Sequence, residues 1–124
     1  MRIMHFVVWS LLFMAPVLAF GQQSGIEVAL QKGNAADLGV HFSKSVDISL
    51  PDDEDTYTPD KAVTVLSDFF ATQSVKGYKR LHVSGEEGGR SKYTIGDLYT
   101  ANGTFRITLY FDAQQKITEV SITK

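Results

Sequence analysis

Several groups of residues in this 124-residue chain carry side chains able to do chemistry, and their spacing decides what each is worth. Asp52-Asp53-Glu54-Asp55, with Asp60 close behind, invites calcium. An EF-hand loop needs glycine at its sixth position and glutamate at its twelfth. Counted from Asp53 those positions hold Thr58 and Thr64, so a solvated loop is expected instead. Gly85-Glu86-Glu87-Gly88-Gly89 has the composition of a phosphate cradle, but it joins two strands rather than a strand and a helix. Its glutamates would also repel phosphate, so it reads as a hairpin turn. His41, one turn past Leu38, is the histidine best placed to look inward. Alone on a helix it reads as a hydrogen-bonded, half-buried side chain. The serines, tyrosines and lysines show no nucleophile–base spacing. No catalytic residue, metal or cofactor is therefore expected, and the chain does not read as an enzyme.

The ends and the composition narrow the setting. Met1-Arg2-Ile3-Met4-His5 is followed by an apolar run from Phe6 to Phe20, broken only by Ser10 and Pro16, and then by polar Gln22-Gln23-Ser24. Ala19 and Gly21 are the small residues that signal peptidase accepts, which predicts a signal peptide over 1–21, cleavage after Gly21 and one domain over 22–124. There is no cysteine. A lipid-anchored product, disulfides and thiolate chemistry are thereby excluded, and the mature domain must be held by its core alone. With 12 basic residues, one of them Arg2, against 14 acidic ones, the charge offers nothing to nucleic acid and no polybasic patch to a membrane.

The elements that would position these residues are set by periodicity. Ser24-Gly25-Ile26-Glu27 has capping-box form, Ile26, Ala29 and Leu30 make one stripe, and Gly33 suits a helix end. Asn34 then caps a second short helix carrying Leu38 and Phe42. Ser45 to Leu50 alternates as a half-buried strand, and Pro51 to Tyr57 is a polar loop. Thr58, Pro59 and Asp60 open a long helix on which Ala62, Val63, Leu66, Phe69 and Phe70 recur at helical spacing. Strands are expected near Tyr78–Ser84, Lys92–Ala101, Thr104–Phe111 and Ile117–Thr123, with Asn102-Gly103 as a type I′ turn.

That turn sets a register opposing Thr100 to Phe105 and making Asp97 and Arg106 diagonal neighbours. One face would hold Gly96, Leu98, Phe105, Ile107, Leu109 and Phe111, with Leu81, Val83, Val120 and Ile122. The other would hold Tyr78, Arg80, His82, Tyr93, Ile95, Asp97, Tyr99, Arg106, Thr108 and Tyr110. A solvated surface accounts for such a face. So does an interface, since tyrosine and arginine are enriched where proteins meet.

Tyr93-Thr94-Ile95-Gly96-Asp97-Leu98-Tyr99-Thr100-Ala101-Asn102-Gly103-Thr104-Phe105-Arg106 resembles a family of short exported bacterial proteins known as domain of unknown function 4783. Gly33-Asn34-Ala35, Val46-Asp47-Ile48-Ser49-Leu50-Pro51 and Asp68-Phe69-Phe70 carry the same resemblance. It implies the nuclear-transport-factor-2-like architecture, a strongly curved antiparallel sheet wrapped around three N-terminal helices, and a Gram-negative periplasm. It implies no activity, and fold alone chooses none.

The expectation is an α+β, periplasmic domain that acts by non-catalytic binding. Its partner would be a second copy of itself or an envelope protein, met through Tyr78, Arg80, His82, Tyr93, Tyr99, Arg106 and Tyr110. Nucleic acid and a stable membrane anchor are not expected. The rival reading, a small-molecule carrier or an isomerase- or hydratase-like enzyme, needs an open hollow of roughly 300 Å³ or more. Filling by Phe42, Phe69, Phe70 and Phe105 would deny it that space.

Overall fold

The computed structural model describes residues 21–85 and 92–124. The expected signal segment, apart from Gly21, and residues 86–91 of the glycine-rich turn lie outside the described residues. Three helices and six strands succeed one another in the order α1 (Gly21–Lys32), α2 (Ala35–Gly39), β1 (Phe42–Ser49), β2 (Glu54–Tyr57), α3 (Pro59–Gln73), β3 (Val75–Ser84), β4 (Tyr93–Thr100), β5 (Gly103–Phe111) and β6 (Ile117–Thr123). The strands form one curved sheet in the order β2-β1-β6-β5-β4-β3.

Local chemistry sets the helix boundaries. Gly33 takes φ 63° after α1. Its N–H donates to the Leu30 carbonyl at 3.1 Å and that of Asn34 to the Ala29 carbonyl at 2.8 Å, which is the Schellman pattern. Asn34 then caps α2, accepting from the Asp37 N–H at 3.1 Å. Pro59 stands in the first turn of α3, where its missing N–H is not needed, and Ser74 ends that helix in left-handed conformation.

The helices bury Ile26, Ala29, Leu30, Ala35, Leu38, Ala62, Leu66 and Phe70 against one side of the sheet. That side supplies Val46, Ile48, Leu98, Phe105, Ile107, Leu109, Ile117, Val120 and Ile122. Phe42 is buried too, and Phe69 is half-buried with its ring edge-on to Phe70 and Phe105, at 6.3 and 5.4 Å between centroids. The hollow of the sheet is thus occupied by four phenylalanines and an aliphatic core.

Several expectations need correction. α1 begins at Gly21, so Ser24 lies within the helix and does not cap it. α2 stops at Gly39, leaving His41 in a turn and making Phe42 the first residue of β1. The expected loop before α3 contains β2, which pairs antiparallel with β1. The final strand does not simply end a meander, for β6 lies between β5 and β1 and runs parallel to β1.

The β4–β5 hairpin is shifted by two residues from the expected register, with Thr100 opposite Gly103 and Asp97 directly opposite Arg106. Gly103 takes φ 118°, and neither Ala101 nor Asn102 has positive φ, so the turn is not type I′. The reason is tertiary. The Ala101 N–H is held by the carbonyls of Gln73 and Ser74 at 3.1 and 3.0 Å, and Asn102 Nδ2 donates to Gln73 Oε1 at 3.0 Å. The end of α3 dictates where the chain reverses. A shift of two residues leaves each side chain on its expected face.

β3 is different. An irregularity between Arg80 and His82 makes Leu81 an extra residue, and such a bulge reverses the parity of the strand beyond it. Tyr78 pairs with Leu98 and Arg80 with Gly96, both on the core side, whereas His82 pairs with outward Ile95. Tyr78 and Arg80 therefore do not belong to the outer face, and Leu81 is exposed rather than core.

Candidate functional site

The outer face is built by alternation along β4, β5, β6 and β1, each of which sends most of its aliphatic residues to the helices. One row across it reads Ser84, Tyr93, Tyr110, Glu119, Asp47 and Thr56 in successive strands. A second carries His82, Ile95, Thr108 and Ser121, and a third Lys79, Asp97, Arg106 and Thr123.

Tyr93 and Tyr110 are directly opposed, their rings 6.0 Å apart and inclined at 47°, and the His82 ring lies 6.0 Å from Tyr93. This makes a continuous aromatic strip along one end of the face. Tyr110 and Tyr99 are each 39% exposed, high for side chains of that size. Arg106 Nε donates to Asp97 Oδ1 at 3.1 Å, with the arginine side chain 53% and the aspartate 23% exposed. Such a pair contributes up to about 1 kcal/mol and leaves the guanidinium accessible. Asp47 accepts from the Thr56 hydroxyl at 2.6 Å, which orients the acidic end of the face. Of the seven residues expected at an interface, the structure brings His82, Tyr93, Tyr99, Arg106 and Tyr110 onto one surface.

Tyr78 and Arg80 meet other partners. The Tyr78 ring packs over Gly96 so closely that a Cβ there would collide with it. Its hydroxyl is hydrogen-bonded to the side chain of Thr94, which is also buried. Burial pushes that hydroxyl up to about 12, with Glu27 adding to the rise and Arg80 opposing it. The group stays protonated and serves as a hydrogen-bonding strut rather than a base. Arg80 Nη1 meets Glu27 Oε1 of α1 at 3.1 Å, tying the first helix to the sheet edge. The sequence signal for this arrangement is a glycine in an otherwise large-residue strand, which marks where a ring from the next strand must fit.

His41 does not form the acid/base pair that a catalytic hollow would need. It is half-buried beside Gly25 of α1, and its carbonyl accepts from the Ile117 N–H at 2.8 Å. Burial and then Lys116 lower its pKa, so at neutral pH it is an uncharged spacer. Among the described residues no three or more His, Asp or Glu side chains converge to hold a metal ion. Nor is any helix there long and apolar enough to cross a membrane.

The comparisons agree with this fold. The chain resembles a family protein from Bacteroides fragilis YCH46, at 32% identity and TM-score 0.71, covering 81% of this chain and 95% of that one. A cystatin-like-fold protein from Silicibacter pomeroyi matches at 14% identity and TM-score 0.59, over 81% and 70% of the two chains. A putative polyketide cyclase from Pseudomonas putida matches at 12% identity and TM-score 0.54, over 82% and 86%. These last two share the fold alone. No curated protein matches the sequence. With its family model matched over residues 23–123, the chain belongs to the family called domain of unknown function 4783, built on the cystatin-like, nuclear-transport-factor-2-like fold.

Proposed function

We propose that this protein is an exported, non-catalytic binding domain of the bacterial envelope that pairs through its outer sheet face with a second copy of itself. The observation that carries this reading is the strip of His82, Tyr93 and Tyr110, with Tyr99 and Arg106 beside it, on the side of the sheet away from the helices. Rigid aromatic rings and an accessible guanidinium are what interface centres use. The face also carries both signs of charge, Asp47, Asp97 and Glu119 against Lys79 and Arg106, so two copies can set acidic groups opposite basic ones. An envelope protein is the next candidate partner.

A pocket in the hollow is the weaker reading, because Phe42, Phe70 and Phe105 are buried there and Phe69 packs against the last two. The fold shared with a putative cyclase does not supply the open space that a substrate needs.

Sedimentation velocity tests the proposal. The purified protein should sediment as a dimer at about 50 µM, a concentration that reveals micromolar association. Tyr99→Ala combined with Arg106→Ala should return it to a monomer. A wild-type monomer at that concentration overturns self-association, and a dimer untouched by the double substitution places the contact elsewhere.

A further inference from the structure

Where the β1–β2 connection crosses α3, an open groove of about 370 Å³ runs between the loop Leu50–Asp53 and the stripe Val65, Asp68, Phe69 and Thr72. None of its lining residues belongs to β3 through β6, so it is distinct from the outer face, and of the four phenylalanines in the hollow only Phe69 reaches it. Its floor is apolar, for Leu50, Tyr57, Val65 and Phe69 are packed against the core yet remain partly open to solvent. Its walls are acidic. Asp52, Asp53 and Asp68 line it, and neither of the two ion pairs among the described residues, Glu27–Arg80 and Asp97–Arg106, involves them. Asp53 Oδ1 accepts from the Glu54 N–H at 2.9 Å, which holds one carboxylate in place with a second oxygen to spare. The Tyr57 hydroxyl pKa is raised by burial and further by Asp53 and Asp55, as carboxylates beside it require.

We propose that this groove binds a small aliphatic amine, its hydrocarbon chain on Leu50, Val65 and Phe69 and its ammonium group against the acidic wall that Asp52, Asp53 and Asp68 contribute. The chemistry selects the class. An apolar floor beside unpaired carboxylates rejects anions and leaves a purely apolar ligand facing desolvated charge. A cation on an alkyl stem satisfies both surfaces, and the Tyr57 and Phe69 rings add a face for the charge. The volume lies near the lower end of the roughly 300–1,000 Å³ found for small-ligand sites, which fits a free amine better than a folded partner.

Amide chemical-shift titration of the purified protein with hexylamine, 1,6-diaminohexane, hexanol and hexanoate provides the test. The two amines should shift the amides of Leu50, Asp52, Asp53 and residues 65–73 with a dissociation constant of about 1 mM or lower, and hexanol and hexanoate should bind at least fivefold more weakly. Asp68→Asn, and separately Asp52→Asn with Asp53→Asn, should each weaken hexylamine at least threefold. These carboxylates are exposed, so the variants should keep the wild-type amide spectrum elsewhere. No shift by 10 mM amine (about tenfold above that constant), equal binding of hexanol, or shifts confined to other surfaces would each overturn the proposal. A short lysine-containing peptide binding more tightly than hexylamine would overturn the assignment to a free amine and give the groove to a basic segment of a protein.

Discussion

Tyr78 and Gly96 are fitted to one another across β3 and β4, the ring occupying the space that any side chain at position 96 would need. Gly96→Ala should destabilise the domain by about 2 kcal/mol, because the ring is anchored through Thr94 and has little room to retreat. Urea unfolding measures this. An unchanged midpoint would mean that the ring moves aside freely. Tyr78→Phe keeps the packing and should cost only about 1 kcal/mol, from the lost hydrogen bond.

The outer face should show the opposite balance between stability and association. Tyr99→Ala and Arg106→Ala remove exposed groups and should change unfolding free energy by less than about 1 kcal/mol. Their effect should appear in the sedimentation coefficient. Thermal and hydrodynamic measurements on the same samples separate the two, and a large loss of stability would assign the pair a folding role.

His41 ties stability to mild acid. Its pKa in the folded state lies below the ordinary histidine value of 6.5 because of burial and Lys116. The unfolded chain therefore binds a proton that the folded chain declines, and stability rises with pH across that window. The contribution is complete above about 6.5 and is lost as pH falls through the folded-state value. His41→Asn should flatten the difference in unfolding midpoint between pH 7.5 and 5.5, relative to wild type. An equal slope in both proteins would show that carboxylates alone set it.

Leu66 is fully buried at the centre of α3, facing the sheet. Leu66→Ala should cost about 3 kcal/mol through lost transfer energy and the cavity left behind. Asp68→Ala, two residues on and exposed, should cost under about 0.5 kcal/mol. Chemical denaturation of the two variants tests whether α3 presents the face described.

Export makes a chemical prediction. Protein recovered from the periplasmic fraction of an expressing Gram-negative cell should begin at Gln22, as intact mass and N-terminal sequencing will show. A full-length product in the cytoplasm would remove the proposed location.

The residues differ in how plainly they announce their places. Gly33, Asn34 and Pro59 are legible because turn and cap chemistry is local. So are the faces of β4 and β5, whose alternation survives the two-residue register shift. β2 is not, since Glu54, Asp55 and Thr56 are all exposed on an edge strand and carry no periodic apolar signal. Tyr78 and Arg80 defeat the alternation because one extra residue at Leu81 reverses it, and nothing in the composition of β3 marks the change. The hairpin turn departs from its Asn-Gly signal because its geometry is imposed by Gln73 and Ser74, nearly thirty residues upstream. Of the outer-face group, the five residues that sit on it are legible from parity alone.

The position of β6 fixes the order in which this molecule can be completed. It is the last strand in sequence yet lies inside the sheet, clasped between β1 and β5. Without β6, the ribbon of β1 with β2 and the ribbon of β3, β4 and β5 share no pairing, and each keeps a bare edge. The native sheet therefore closes late, by a contact between the opposite ends of the domain that slows folding. Removing β6 would leave β1 and β5 without a common neighbour, and the sheet could not close around its core.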